Sequence, residues 1–459
     1  MVTPINGEVS YWFAESGLPE AADSLDGDAD ADVVIVGAGF TGLWTAYYLA
    51  ERAPALTVRI IEERFAGFGA SGRNGGWLTN TITGGADGYA SRYGRPAAAA
   101  LQSALNDTVD EVMAVAQTHG IDAGIRKGGS LMVARSPAQL ARRDAELRHA
   151  ETWPEEGFVG LSADETQSRV RIAGALGGMW QPHSARIDPA RLVRGLADVV
   201  RGRGVRIHEG TRATRISPGV VETERGRLRA HHVVRATEGF TARLPGLHRR
   251  WVPLNSSLII TETLPSSAWE EIGWAASETV EDFAHVYSYL QRTPDGRIAL
   301  GGRGTPYRYG SRTDSDGRSR PATIEALTRI LHEWFPVART AAVAHAWSGV
   351  LGVPRDWRAS VGFDPKSGLA SAGGYVGTGV ASSHLAGRTL ADLLTSTDTA
   401  RTHLPWVNHS ARDWEPEPLR WLAITSIYRA YGWADSRETR RGTSRQSRLA
   451  TLADLISGR

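Results

Sequence analysis

The sequence predicts an α/β chain (α+β overall), in which a Rossmann-like dinucleotide-binding domain, split along the chain, is joined to a second domain built on an antiparallel sheet. Three observations lead there. The first is residues 32–63, DVVIVGAGFTGLWTAYYLAERAPALTVRIIEE, which read as strand, glycine turn, helix and second strand. The second is a run of short strands far downstream, ending at Ala236-Thr237-Glu238-Gly239. The third is another strand, glycine turn and helix at 369–394.

In the first stretch the unbroken apolar run Val33-Val34-Ile35-Val36 suits a parallel strand buried on both faces. Gly37, Gly39 and Gly42 form a GxGxxG turn through Phe40 and Thr41. In that context Gly37 permits the tight turn, Gly39 lets a pyrophosphate approach the backbone, and Gly42 lets the helix pack close on the sheet. The helix N-terminus offers free N–H groups to phosphate. Glu62 closes the second strand at the spacing where a carboxylate accepts from ribose hydroxyls.

Composition narrows the classes. The chain has 459 residues and a net charge of +2, too little to argue for nucleic acid or an anionic membrane. Lys127 and Lys366 are the only lysines, so the basic residues are almost all scattered arginines. Cysteine is absent, which excludes disulfides, thiolate metal sites, a cysteine nucleophile and a cysteinyl–flavin link. No metal site is expected. No apolar run reaches the length of a membrane span, and the opening MVTPINGEVSYWF lacks the regions of a signal peptide. A soluble cytoplasmic protein is the expectation.

Residues 1–31 form an arm in which Tyr11-Trp12-Phe13 either clamps onto the body or stays partly ordered. After Glu62 and Glu63 comes a second glycine loop, Gly67-Phe68-Gly69-Ala70-Ser71-Gly72-Arg73-Asn74-Gly75-Gly76. Glycine at this density is tolerated where backbone must approach something closely, here the cofactor's phosphates or ring. Ser71 and Arg73 can donate to phosphate. Residues 96–119 carry apolar positions at helical spacing, 128–134 read as a strand and 136–149 as a helix; this block is expected to begin the second domain. Asp188 before Pro189 starts a further helix. Strands are expected at 205–208, then as a meander over 211–216, 220–223 and 228–231, with 233–236 feeding back into the main sheet. Strands at 257–262, 285–291 and 297–302 suit the floor of the second domain, and a helix follows over 322–334.

A nucleotide unit followed far later by a meander and a strand ending Ala-Thr-x-Gly fits a split FAD domain and not a contiguous nicotinamide domain. The expected division is an arm over 1–31; an FAD-binding domain from 32–95, 181–240 and 345–398; a substrate domain from 96–180 and 241–344; and a tail over 399–459, rich in tryptophan, for packing or subunit contact. At 373–379 no phosphate remains to be bound, so the helix N-terminus there is suited to the negative charge that develops at the N1–C2=O edge of a reduced flavin.

With these three glycine elements in order, the chain resembles the D-amino-acid oxidase-like FAD-dependent oxidoreductases, the superfamily of glycine and sarcosine oxidases. The stretch Phe68 to Gly76, FGASGRNGG, looks most like the branch containing gamma-glutamylputrescine oxidoreductase. The resemblance implies that Gly37, Gly39, Phe40, Thr41 and Gly42 hold the FAD pyrophosphate and Glu62, with Glu63, the ribose. It places Gly69, Ala70, Ser71, Arg73, Asn74, Gly75 and Gly76 along the flavin, Thr237 and Gly239 at its border, and Gly374, Tyr375, Val376, Gly377 and Thr378 at its pyrimidine edge. Sarcosine-oxidase-like members attach FAD through a cysteine, and its absence here favours noncovalent FAD; the resemblance implies oxidation of a C–N bond in a primary or secondary amine or amino acid. Hydride would pass to flavin N5 and the imine would hydrolyse, with oxygen as acceptor giving H2O2. Relatives that reduce oxygen with a lysine near N5 have no obvious counterpart here, so another electron acceptor stays open. Oxidation of 2-hydroxy acids and a flavin-binding subunit without its own turnover are the rival readings.

Candidates for the reactive end lie where the second domain rejoins the first. His183 either contacts substrate or flavin or is structural. Arg303, in a glycine-flanked turn, could hold a carboxylate bidentately or lie on the surface. Tyr307 could close the same pocket. Trp347 and Ser348 lie in the segment expected beside the isoalloxazine, with core packing the alternative for Trp347.

Overall fold

The structure, a computed structural model, describes residues 4–19, 22–302, 304–313, 316–444, 447 and 450. Its organising layer is a parallel sheet. Ala29–Val36 lies between Val58–Ile61 and Arg227–Arg235, and Arg206–His208 and Leu369–Gly373 extend it in parallel on the two sides. The apolar run Val33 to Val36 is buried throughout, as a strand covered on both faces must be.

One strand does two jobs. Residues 228–231 and 233–236, expected as separate strands, form the single strand Arg227–Arg235. Its first half pairs antiparallel with Val220–Thr223 and its second half parallel with Leu369–Gly373. Burial deepens along it as it leaves the solvent-washed meander for the sheet centre, where Val233 and Val234 are fully buried.

Helices Phe40–Arg52 and Gly379–Leu394 cover one face and meet closely at Gly387, where an added Cβ would stand 2.6 Å from the Cβ of Trp44. The helix Arg95–Thr118 joins this layer: Leu101, Leu105, Val109 and Val112 enter the same core, and Glu111 pairs with Arg388. The block expected to begin the second domain therefore starts with a helix that packs on the first sheet's helices.

A nine-stranded sheet stands beside this unit, in the order Ile5–Asn6, Val343–Val353, Val252–Thr261, Ile298–Gly302, Tyr289–Arg292, Thr279–Asp282, Ser130–Ala134, Gly177–Gln181 and Val159–Leu161. It is antiparallel except where the first two strands meet and where Thr279–Asp282 meets Ser130–Ala134. Two expectations shift here. Val343–Val353 pairs along Val252–Thr261 and belongs to this sheet, although 345 was expected to reopen the FAD-binding domain. The strand expected at 285–291 starts only at Tyr289, because Asp282, ending the strand Thr279–Asp282, accepts the Ser288 N–H at 3.0 Å and holds the intervening residues in a turn.

The arm is clamped. Ser10 caps the short helix Tyr11–Ser16, whose three aromatic residues are buried. Trp12 Nε1 donates to Asn74 O at 2.9 Å and Ser10 Oγ to Gly72 O at 2.7 Å, so the arm grips the second glycine loop. At the other end, the tail helix Leu419–Arg441 presents Asp435, which accepts from the His285 and Val286 amides at 3.0 and 3.1 Å. His285, Asp435 and Glu438 lie close enough to hold a metal ion, but Arg142 already bonds His285 and Glu438. Among the described residues no helix is long and apolar enough to cross a membrane.

Candidate active site

Three adjoining cavities run between the two sheets, and Ala70 lines all of them. The first lies over the glycine turn. Gly37 has φ +110°, and a Cβ there would meet Ala236 O at 2.5 Å; a Cβ on Gly42 would meet Gly37 O at 2.0 Å. Gly39 faces Ser71, whose Oγ accepts the Phe40 N–H at 2.8 Å. The neighbouring N–H groups of Gly39 and Thr41 bond no described residue and line the cavity. Glu62 stands at its far end, accepting from the Ala38 and Arg64 amides at 2.9 and 3.1 Å. Burial pushes its carboxyl up to about 7 against the pull of those amides. Glu63 pairs with Arg243 beside it at 3.2 Å. Phe240, Leu244 and residues 211–214 complete the wall; none of these was picked out from the sequence.

The second cavity continues past Phe40, Thr41, Ser71 and Glu238 to Gly377. Glu238 has no counterpart among the sequence candidates, which flanked it with Thr237 and Gly239. Its Oε1 accepts the Gly374 and Tyr375 amides at 3.0 Å each, and its Oε2 the Gly352 amide at 2.6 Å. It therefore ties together three segments that meet at the cavity. The signal was legible in principle: a lone acid at the end of a buried strand, followed by glycine. Gly239 is fixed by packing, since a Cβ would meet Val350 at 2.7 Å, and Thr237 bonds Thr241.

This arrangement revises the expected flavin edge. The Gly374 and Tyr375 amides are already taken by Glu238, and the Tyr375 hydroxyl lies 3.1 Å from Thr41 Oγ1. The Val376 and Gly377 amides bond no described residue, while Gly377 and Thr378 line the cavities.

The second glycine loop also reads differently. Arg73, expected to donate to phosphate, is turned into the protein: its Nε donates to Phe68 O at 2.7 Å and its guanidinium lies 4.3 Å from the Phe68 ring centroid. Asn74 braces the loop from within, bonding Ala70 O, Ser71 O and the Gly76 N–H. The glycines answer to protein neighbours. An added Cβ on Gly72 would stand 2.3 Å from Phe13, on Gly75 2.5 Å from Tyr289, and on Gly76 1.9 Å from Gln291 Nε2. Gly69 is looser, with Phe240 at 3.3 Å.

The third cavity is a chamber between this loop and the nine-stranded sheet. Trp77, Tyr287, Tyr289, Glu281, Ser256 and Leu258 wall it, and Gly349, Leu351, Gly377 and Thr378 close the side nearest the second cavity. Tyr289 reaches across Gly301 to place its hydroxyl 2.9 Å from Ser256 Oγ, and Trp77 stands edge-on to it with centroids 5.8 Å apart.

None of the sequence-predicted reactive residues that the structure describes lines this chamber. His183 lies beyond it near Gly157, where burial and Lys127 hold its imidazole below the usual range. Tyr307 donates to Glu417 Oε1 at 2.5 Å and anchors the tail. Trp347 is fully buried and donates to Arg73 O at 2.8 Å, bracing the loop from behind. Ser348 donates to Arg318 O. Arg303 lies outside the described residues.

The donor set fits a long dinucleotide. Free backbone amides lie at a helix start and again at 376–377, a ribose-spaced carboxylate lies at one end, and an aromatic chamber at the other. With no cysteine in the chain, and no histidine lining the three cavities among the described residues, the site is built for noncovalent binding.

Comparison with known proteins agrees. Residues 32–393 match the family DAO, FAD dependent oxidoreductase. The gamma-glutamylputrescine oxidoreductase of Escherichia coli (strain K12) is 29% identical over 395 residues, 84% of this chain and 88% of that protein. The solved structure of glycine oxidase from Geobacillus kaustophilus superposes with a TM-score of 0.65 at 24% identity, covering 81% of this chain and 96% of that one. That of L-proline dehydrogenase from P. horikoshii gives 0.68 at 19% identity, covering 83% and 98%.

Proposed function

Because the chain belongs to the FAD-dependent oxidoreductase family, we propose that it oxidises a C–N bond in an amine or amino acid. The carrying observation is the channel of three adjoining cavities, which begins at a helix start with free backbone amides and ends in an aromatic chamber. The name of the Escherichia coli relative, a gamma-glutamylputrescine oxidoreductase, supports the amine reading. The chemistry FAD supplies when bound is acceptance, at N5, of a hydride from the carbon beside nitrogen. The substrate imine then takes up water and parts into a carbonyl compound and an amine.

The protein's share is placement. Trp77 and the Tyr289 ring, fixed through Ser256, confine the substrate, and the tight contact of Tyr289 with Gly75 sets its approach to the loop. Hydride leaves only a neutral amine, so the chamber has to position the nitrogen; a strong base is not required. Molecular oxygen completes the cycle in this reading, giving H2O2. Transfer to another acceptor is favoured by one observation: no lysine or histidine lines the three cavities among the described residues.

The test is anaerobic mixing of the purified holoprotein with amines, amino acids and 2-hydroxy acids, following loss of the oxidised-flavin band. Bleaching by an amine or amino acid is expected. Bleaching by 2-hydroxy acids alone, or by nothing, overturns the proposal. Peroxide released per turnover in air then assigns the acceptor.

A further inference from the structure

Glu281 is the carboxylate in the chamber wall, and the reaction leaves its chemistry unused. Its carboxylate forms no hydrogen bond or ion pair with any described residue, although it is half-buried and lines the cavity. An acid in such a place is costly unless something brings it a partner. The chamber it lines is also walled by Trp77, Tyr287 and its cross-strand partner Tyr289. A carboxylate sharing a chamber with aromatic rings is chemistry that suits an organic cation.

Strand register places this acid relative to the loop. Glu281 pairs with Tyr289, Tyr289 with Gly301, Gly301 with Leu258 and Leu258 with Trp347, so these residues form one row across one face of the sheet. The row begins over the second glycine loop, where Trp347 bonds Arg73 O and Leu258 approaches Gly75. Glu281 lies three strands beyond Leu258, about 14 Å at the usual strand spacing. The Tyr289 side chain, lying over Gly301, floors the space between. A carboxylate so far from the loop is poorly placed for the nitrogen that loses hydride, and a carboxylate beside that nitrogen would hold it in the unreactive charged form. The row suits a molecule lying along it with a positive group at each end.

We propose that the substrate carries a second cationic group, bound by Glu281 among Trp77, Tyr287 and Tyr289, while its reacting amine lies at the Gly75–Leu258 end. The inference rests on the amine-oxidising reading above and narrows it to diamines and amines with a distal ammonium. The wall is held for this role by the tail helix. Asp435 fixes the His285 and Val286 amides, and Tyr431 stacks on His285 with centroids 5.5 Å apart, which sets the loop bearing Tyr287. Burial, with Asp282 beside it, pushes the Glu281 carboxyl up to about 8, so an arriving cation would stabilise its charged form.

The experiment compares 1,8-diaminooctane, long enough to reach along the row, with octylamine in the wild-type holoprotein and in Glu281→Gln. Wild type is expected to favour the diamine, and Glu281→Gln to raise its KM by about 10- to 100-fold, collapsing the preference, with kcat far less affected. Glu281→Asp, which keeps the charge, should restore part of it. A binding measurement separates this claim from the one it rests on. A diamine with both carbons beside nitrogen fully methylated has no hydride to lose, yet it should perturb the flavin spectrum of wild type and not of Glu281→Gln. Equal binding of that probe by both proteins overturns the proposal even if amines are oxidised, and so does a fall in kcat shared by both amines. If neither amine bleaches the flavin while the probe still distinguishes the two proteins, the reaction assignment fails and the cation site stands. If Glu281→Gln does not hold flavin, the same comparisons are read on Glu281→Asp, whose shortened side chain should weaken the diamine selectively; no selective weakening there counts against the proposal.

Discussion

The glycine turn at 37–42 and the chamber under Tyr289 are the two ends of one channel, and they are made of different material. At the turn nearly everything is backbone: free amides, a helix start, and glycines whose missing side chains leave the room. At the chamber nearly everything is side chain, delivered by strands far apart in sequence onto one sheet face. A backbone site tolerates no added atom, whereas a side-chain site can lose a group and keep its shape. Damage at the first end should therefore remove the cofactor and the fold together, and damage at the second should change what is oxidised.

The largest effect is expected at Gly42. In Gly42→Val the new Cβ, fixed by the helix backbone, would stand 2.0 Å from the backbone oxygen of Gly37. Neither partner can rotate aside, so the variant should yield little soluble protein and none bearing flavin, judged by visible absorbance relative to protein. Gly202→Ala is the matched control: that glycine ends the helix Pro189–Gly202 with nothing within 4 Å of an added Cβ. It should gain about 0.5–1 kcal/mol. Normal flavin loading in Gly42→Val would break the contrast between the two ends.

Glu238→Ala comes next. It strands the amides of Gly352, Gly374 and Tyr375, and unpaired buried donors cost about 1–3 kcal/mol each. Unfolding in urea should show a loss of a few kcal/mol, with faster FAD release. Glu238→Gln, which keeps one carbonyl oxygen for two of the three amides, should fall between. If FAD release is unchanged in Glu238→Ala, the middle of the channel does not depend on this clamp.

How far each end could be read in advance follows from the same difference in material. Val33–Val36, the glycine turn, Glu62 and the cap at Asp188 are local: each depends on residues within a turn or a strand of itself. The long strand Arg227–Arg235 was harder, since its two halves have different partners and its middle is polar. Glu281 was out of reach, because it faces the chamber only through pairing with Met132 on one side and Tyr289 on the other, from segments about 150 and 8 residues away. Trp347 shows the same limit on a smaller scale. It shares a face with Gly349 and Leu351, which line the chamber, while its own indole is spent on Arg73 O. The second glycine loop misled in a different way, for its glycines accommodate Phe13, Tyr289 and Gln291, which no local pattern announces.

Titration distinguishes the ends more gently. The Glu62 and Glu238 carboxyls are pushed up to about 7 and Glu281 to about 8, all by burial. Folded pKa values above the unfolded ones mean stability that is fully present below about 4.5 and lost as pH rises through 7 and 8. The melting temperature of flavin-free protein should accordingly fall from pH 5 to about 9. Glu281→Gln should make that fall shallower throughout and end it near pH 7, where the remaining carboxyls titrate. A diamine should restore wild type above that pH and leave the variant unmoved. Trp77→Ala should leave FAD binding intact and lower kcat/KM for a cationic amine by about 2- to 30-fold, the worth of one aromatic face to a cation. A loss of flavin in that variant would mean that the chamber is not separable from the cofactor site.

The smallest effect is expected at His183. Histidine is the side chain whose charge changes most readily near neutral pH, which is why its place before a returning strand invited a catalytic role. In the fold its Nδ1 has no partner, its ring faces Gly157, and burial together with Lys127 holds its imidazole below the usual range. An imidazole outside all three cavities has nothing to exchange with a substrate in the chamber. His183→Ala should therefore keep flavin content, and kcat/KM should stay within about twofold at every pH, since the lost ring touches no cavity wall. The informative outcome is the other one: a tenfold fall, or a pH profile that loses a limb, would mean that the chamber extends past Asn80, whose N–H donates to His183 O at 3.2 Å. The side-chain end of the channel would then be larger than the cavity that Trp77, Tyr287, Tyr289 and Glu281 enclose.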